Sequence, residues 1–125
     1  MLSQLEAAAV LPAKDLRRAK SFYKDKLGME PAEEREGELR FRTAAGAAVL
    51  MYETENAGTA KNTALLLMSP DVQAEVARLR EAGVVFEEYD MPGLKTENGI
   101  AKNGGELAAW FKDSEGNIVC VAQEL

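Results

Sequence analysis

The stretch Asp113-Ser114-Glu115-Gly116-Asn117-Ile118-Val119-Cys120-Val121 decides how this 125-residue chain is expected to fold. Asp113 and Asn117 bracket a tight turn, because an Asp side chain can accept hydrogen bonds from the backbone just after it. Gly116 can take the positive φ that such turns often contain. The apolar run that follows is typical of a strand. The turn therefore sets the register of that last strand, and a slip of one residue would exchange its two faces.

Two amphipathic helices are predicted from the spacing of apolar residues. The first covers residues 15–28, with Asp15 as its N-cap and Gly28 as its stop. Its apolar positions, at helical spacing, are Leu16, Ala19, Phe22, Tyr23 and Leu27. The second covers about residues 70–82 and ends at Gly83. Pro70 suits a first helical turn, because the amide that proline lacks would have no partner there.

Short apolar runs around the two helices predict strands. In chain order these runs are residues 7–13, 39–43, 47–53, 63–68, 84–89, 106–112 and 117–123. The glycine-rich stretch 91–105 lacks the strand-then-helix context of a phosphate-binding loop. It is interpreted as a mobile lid or as an arm of a dimer.

The order of these elements indicates a duplicated unit. Gly37-Glu38-Leu39 recurs as Gly105-Glu106-Leu107, and each copy is followed by a strand, a turn that contains glycine, and an apolar strand. The chain is therefore predicted to be an α+β domain. Two tandem βαβββ modules, at about 5–56 and 61–125, would form curved sheets around a cleft.

Composition and charge argue against several classes of protein. The net charge of −6 disfavours nucleic acid as a partner, since its binders need clustered cations. No apolar run approaches the ~20 residues that a membrane-spanning helix needs. The start of the sequence has no basic segment followed by an apolar one, so no secretory signal is expected. Cys120 is the only cysteine, which excludes an internal disulfide and favours a cytoplasmic location.

Two motifs together resemble the vicinal oxygen chelate superfamily, which includes glyoxalase I, bleomycin resistance proteins and ring-cleaving dioxygenases. The front motif is Leu11-Pro12-Ala13-Lys14-Asp15-Leu16-Arg17-Arg18-Ala19-Lys20-Ser21-Phe22-Tyr23 with Leu27-Gly28-Met29, and the rear motif is Asp113-Ser114-Glu115-Gly116-Asn117. The resemblance covers nearly the whole chain. It implies two modules that wrap a cavity, often across a dimer, and we expect a homodimer.

The resemblance also implies where a metal would bind in this chain. In metal-dependent relatives, each module supplies one ligand near the start of its first strand and one in its last strand. The corresponding positions are Ala8, Thr63 or Ala64, Leu50 or Met51, and Cys120. The chain has no histidine, so only the Cys120 thiol could bind a metal there, whereas a hard divalent ion needs several oxygen or imidazole donors. We therefore expect no metal and no cofactor.

The cleft is expected to be apolar and aromatic, which suits a flat organic ligand. If Cys120 faces the cleft, strand alternation turns Val119 and Val121 toward a helix. The residues predicted to bind a ligand are Trp110, Tyr52, Leu50, Cys120, Phe41 and Met91. A loop with Tyr89, Met91 and Leu94 could close one end of the cleft. Arg40 and Arg42 either bind an anionic ligand or lie on the surface.

Three functions are open at this point. The first is a metal-free binding protein that sequesters a small, partly aromatic molecule. The second is a lyase or dioxygenase-like enzyme of the same superfamily, with an unusual metal site or with Glu53, Tyr52 or Lys95 as acid or base. The third is a dimer with a structural or regulatory role and no ligand. Without histidine, Cys120 cannot belong to a Cys–His dyad, and it is predicted to be a buried, inert thiol.

Overall fold

The computed structural model describes residues 1–125 and places two helices and ten strands in two sheets. After a short 3-10 turn at Leu2–Gln4, the first unit comprises β1 (Ala8–Ala13), α1 (Leu16–Leu27), β2 (Glu33–Arg35), β3 (Glu38–Arg42) and β4 (Ala48–Glu53). The second unit comprises β5 (Thr63–Met68), α2 (Val72–Glu81), β6 (Asp90–Met91), β7 (Leu94–Glu97), β8 (Ile100–Asn103), β9 (Glu106–Lys112) and β10 (Ile118–Glu124).

The pairing of the strands repeats between the two units. Sheet 1 has the order β1-β4-β3-β2, and sheet 2 has the order β5-β10-β9-β8-β7-β6. In each sheet the first strand pairs in parallel with the last, and the remaining pairs are antiparallel. The predicted α+β class is thus confirmed. The first unit is βαβββ, and the second is consistent with the same module carrying the additional short strands β6 and β7.

The helix ends follow from local capping. Asp15 caps α1 by accepting from the Arg18 amide at 3.0 Å, and Gly28 ends α1 with a φ of 69°. The predicted start of α2 at Pro70 was wrong. Asp71 is the N-cap and accepts from the Ala74 amide at 3.1 Å, so the proline lies one residue before the cap.

The strand predicted over residues 84–89 was wrong. These residues form no regular strand and contribute only a bridge between Phe86 and Phe111. The stretch 91–105 contains β7 and β8, which extend sheet 2, and its role as a lid or as an arm of a dimer stays a prediction. Its glycines serve the turns between short strands. Asn98 and Gly99, with φ of 51° and 79°, connect β7 to β8.

One apolar core joins the two units. Alternate side chains of both sheets point toward the helices and belong to a single cluster of 17 buried residues. Leu11 and Met51 come from sheet 1, while Phe111 and Val119 come from sheet 2. The helix-facing sides of the two sheets therefore belong to the same core.

The turn at residues 113–117, called the C-terminal turn below, holds the two units together through Asp113 and Asn117. The Asp113 Oδ1 atom accepts from the amides of Glu115 and Asn117 at 2.8 and 2.9 Å. The other oxygen accepts from the buried hydroxyl of Tyr23 on α1 at 2.6 Å. The Asn117 side chain donates to the carbonyl of Pro12 on β1 at 3.0 Å.

Glu115 extends the same contact to the start of α1. Its buried carboxylate accepts from the amides of Lys14 and Asp15 at 3.0 and 2.9 Å and from the Arg18 guanidinium at 2.9 and 3.0 Å. Burial alone would raise the pKa of Glu115. The hydrogen bonds and the charge of Arg18 lower it by more than burial raises it, so the pKa falls to about 2. Burial and the neighbouring carboxylates raise the pKa of Tyr23 far above its usual range. The front and rear motifs of the sequence are therefore two halves of one structural joint.

Candidate ligand-binding face

Each sheet has a face that points away from the helices, called the open face below. On sheet 1 it presents Ala8, Val10, Arg40, Leu50 and Tyr52. On sheet 2 it presents Leu66, Met68, Ala108, Trp110, Lys112, Ile118, Cys120 and Ala122. Strand alternation accounts for both sets, because the residues between them belong to the shared core.

An aromatic corner lies on the open face of sheet 2. Cys120 and Trp110 are direct partners across β10 and β9, and half-buried Trp110 packs on a floor of small side chains, Ala108, Cys120 and Ala122. Tyr89 meets Trp110 edge-to-face, with ring centroids 5.6 Å apart. The corner thus offers two aromatic surfaces above an apolar floor, which suits a planar ring.

The Cys120 thiol is buried on the open face. Burial and then the charge of Glu106 raise its pKa to about 11, which outweighs a hydrogen bond from the Ala109 backbone. The thiolate is the nucleophile and the metal ligand, so at neutral pH Cys120 acts as a small apolar group.

A cleft of about 440 Å³ continues from the aromatic corner. Lys112 follows Trp110 by two residues on β9, and its partner Ile118 precedes Cys120 by two residues on β10. Tyr89 and Lys61 line the cleft with them. This cleft was not predicted from the sequence, although Lys112 and Trp110, two residues apart on one strand, share a face and were a usable signal.

The open face of sheet 1 is more polar at one end. Leu50 and Arg40 line a depression of about 210 Å³ that also includes Glu33 and Arg42. The Arg40 guanidinium is paired with Glu38, which raises the pKa of Arg40. Tyr52, at the other end of β4, is 43 % exposed.

The predicted site residues are only partly brought together. Trp110 and Cys120 touch, and Leu50 and Tyr52 share one face of β4, but none of the five main cavities contains residues of both pairs. A cleft shared by all four residues therefore stays a prediction.

Two further site predictions concern Phe41 and Met91. Phe41 was wrongly placed on the cleft side. It pairs with Val49, points into the core and packs on Tyr23 with ring centroids 5.2 Å apart, so its side chain is buried on the helix side. Met91 lies on the edge strand β6, half-exposed, two residues beyond Tyr89.

The side chains present do not fit a metal centre. The open face presents Ala8, Leu50 and Cys120 at three of the positions where the resemblance placed metal ligands, and exposed Thr63 and Ala64 lie at the fourth. No three His, Cys, Asp or Glu side chains lie close enough to hold an ion. Only a protonated thiol remains as a donor.

The chain belongs to the Glyoxalase/Bleomycin resistance protein/Dioxygenase superfamily, whose family model matches residues 6–121. Among solved structures it is similar to TnmS3, an antibiotic binding protein from a Streptomyces species, with 24 % identity over 97 % of this chain and 98 % of that one and a TM-score of 0.73. A glyoxalase/bleomycin resistance protein from Catenulispora acidiphila is 22 % identical over 97 % and 99 % of the two chains, with a TM-score of 0.68.

A lactoylglutathione lyase from Agrobacterium tumefaciens is 19 % identical over 95 % and 92 % of the two chains, with a TM-score of 0.67. An antibiotic binding protein and a lactoylglutathione lyase are thus both similar to this chain, and at these identities the likeness concerns the fold alone. No curated protein matches the sequence. Neither helix has the length and apolar character needed to cross a bilayer.

Proposed function

We propose that the chain is a metal-free binding protein that sequesters a flat aromatic compound on its open face. The aromatic corner carries the proposal, because Trp110 and Tyr89 flank an apolar floor that ends in a cleft of small-molecule size. The raised pKa of Cys120 supports binding over nucleophilic catalysis. One structural neighbour, TnmS3, is described as an antibiotic binding protein, which agrees with this use of the fold.

We further propose that the protein acts in the cytoplasm. We also propose that two copies associate through their open faces. Four large apolar side chains stand exposed on these faces: Val10, Tyr52, Leu66 and Met68, each 43–57 % accessible. A second copy that covered them would bury on the order of 1,600 Å² in total, the usual scale for a stable pair. Such pairing could also bring Leu50 and Tyr52 of one copy toward the aromatic corner of the other.

The association is tested by sedimentation of the wild type and of Met68→Glu at micromolar concentration. We expect a dimer for the wild type and a monomer for the variant, because a carboxylate would be buried unpaired in the contact. Val85→Glu is the control, since Val85 is also exposed but lies outside the open face. A wild-type monomer, or equal behaviour of both variants, would contradict the proposal.

The binding site is tested by titration with a panel of planar aromatic compounds. Trp110 is the only tryptophan, so its fluorescence reports on the corner directly. Calorimetry then measures binding by Trp110→Leu and Tyr89→Leu, with circular dichroism as a check of folding. We expect each variant to bind roughly 2–10-fold more weakly, since aromatic pairs contribute ~0.5–1.5 kcal/mol beyond buried area. Tight binding that neither substitution alters would place the site elsewhere, and turnover of a bound compound would favour the enzyme alternative.

A further inference from the structure

The cleft beside the aromatic corner has a charge opposite to that of the whole protein. Its ionisable lining consists of Lys61, Lys112, Glu87 and the Tyr89 phenol. Counting two lysines against one glutamate leaves a charge of +1, in a chain whose net charge is −6. A positive cleft on an acidic protein favours an anion there.

The lysines are available to a ligand. The Lys112 Nζ atom lies 3.6 Å from a Glu87 oxygen, a loose ion pair with the Lys112 side chain 59 % exposed. Exposed pairs of this kind contribute little, so an incoming anion can replace the glutamate. Lys61 makes no ion pair with any residue of the chain.

Tyr89 connects the charged cleft to the aromatic corner. Its ring meets Trp110, and the same residue lines the cleft. Burial, followed by the charges of Glu87 and Cys120, raises the pKa of the Tyr89 hydroxyl, which therefore stays protonated and able to donate. A ring on Trp110 would therefore lie beside Tyr89 and next to the cleft that contains both lysines.

We infer that the ligand carries an acidic group, a carboxylate or an acidic phenol, beside its aromatic ring, and that Lys61 and Lys112 bind this group. The inference rests on the proposed function above and adds the chemical class of the compound. Arg40 and Arg42, the anion-binding candidates from sequence, are less suited, because Arg40 is paired with Glu38 and the depression also contains Glu33.

The test compares 2-naphthoate with 2-naphthamide, which share a ring system and differ in charge. By calorimetry at low salt, the full-length protein should bind naphthoate several-fold more tightly than naphthamide, and added NaCl should narrow the difference. Lys61→Gln and Lys112→Gln should each weaken naphthoate binding about two- to five-fold and leave naphthamide unchanged. Glu87→Gln should strengthen naphthoate binding.

Lys102→Gln is the matched control, because it removes the same charge from β8, outside the cleft, and should alter neither affinity. Equal binding of both compounds, with no effect of the cleft lysines, would overturn the inference while leaving the aromatic site intact. Failure of both compounds to bind would overturn the proposed aromatic site and the inference with it. An equal effect of Lys102→Gln would mean that overall charge, and not the cleft, selects the anion.

Discussion

Replacing Gly116 by alanine should destabilise the protein far more than the same change at Gly46. The two residues occupy equivalent turns. In each turn the first residue donates to the carbonyl of the fifth, Asp113 to Asn117 and Thr43 to Ala47, and the glycine donates back to the first. Both glycines have a positive φ, 87° and 90°. They differ in their surroundings, because a Cβ on Gly116 would lie 2.8 Å from the Gly58 Cα, whereas one on Gly46 would meet nothing within 4 Å.

The magnitudes follow from that difference. Alanine in left-handed backbone costs about 1–2 kcal/mol, and the lost flexibility of the unfolded chain offsets about 0.4–1 kcal/mol of this at both sites. Only the Gly116 variant must also move backbone apart, since carbon atoms normally sit about 3.5–4.0 Å from each other. Such forced shifts typically cost about 1–3 kcal/mol.

Urea unfolding of both variants measures the difference. We expect Gly116→Ala to unfold about 1 M earlier than Gly46→Ala, given a dependence of about 1–3 kcal/mol per molar urea. Equal losses of unfolding free energy at the two sites would refute the idea that the C-terminal turn is closely packed on residue 58.

Three further predictions concern titrating side chains. The pKa of Glu115 is lowered from 4.5 to about 2, so its stabilising contribution is present above pH 4.5 and is lost as the pH falls toward 2. Glu115→Gln should therefore lower the urea midpoint at pH 7. In this variant the midpoint should also fall less steeply between pH 4.5 and 2. The pKa of Tyr23 is raised, so the stability of the fold should fall as the pH rises above 10. Tyr23→Phe should remove this alkaline loss. It should also lower the free energy of unfolding at pH 7 by about 1–3 kcal/mol, measured by thermal unfolding, because the hydrogen bond to Asp113 is lost. With a pKa of about 11, Cys120 should react with iodoacetamide at pH 7.5 only on unfolding, and rapid mass-detected alkylation of the folded protein would contradict its burial.

Much of the fold was predictable because its signals are local. The Asp15 cap, the Gly28 stop and the glycine of the C-terminal turn act within a few residues of chain. Strand alternation likewise predicted that Val119 would point toward a helix if Cys120 faced the cleft, and the two residues do lie on opposite faces of β10. These features need no knowledge of distant residues.

The failed predictions depend on contacts that the sequence does not display. Phe41 was misplaced because its face is set by pairing with Val49 across a hairpin. No strands are predicted over residues 91–105 because those present are only two to four residues long and are separated by glycines, which leaves no periodic pattern. The aromatic corner needs Tyr89, which reaches Trp110 from an irregular segment, and no spacing rule indicates that contact.

The joint between the front and rear motifs has a consequence for synthesis of the chain. Lys14 and Asp15 find their acceptor 101 and 100 residues later, in Glu115. A nascent chain emerges N-terminal end first, so the start of α1 leaves the ribosome long before that carboxylate is made. Closing a loop of this length is slow compared with forming a helix. These two backbone amides therefore stay hydrated until Glu115 has been synthesised, and the contact between the front and rear motifs is a late event.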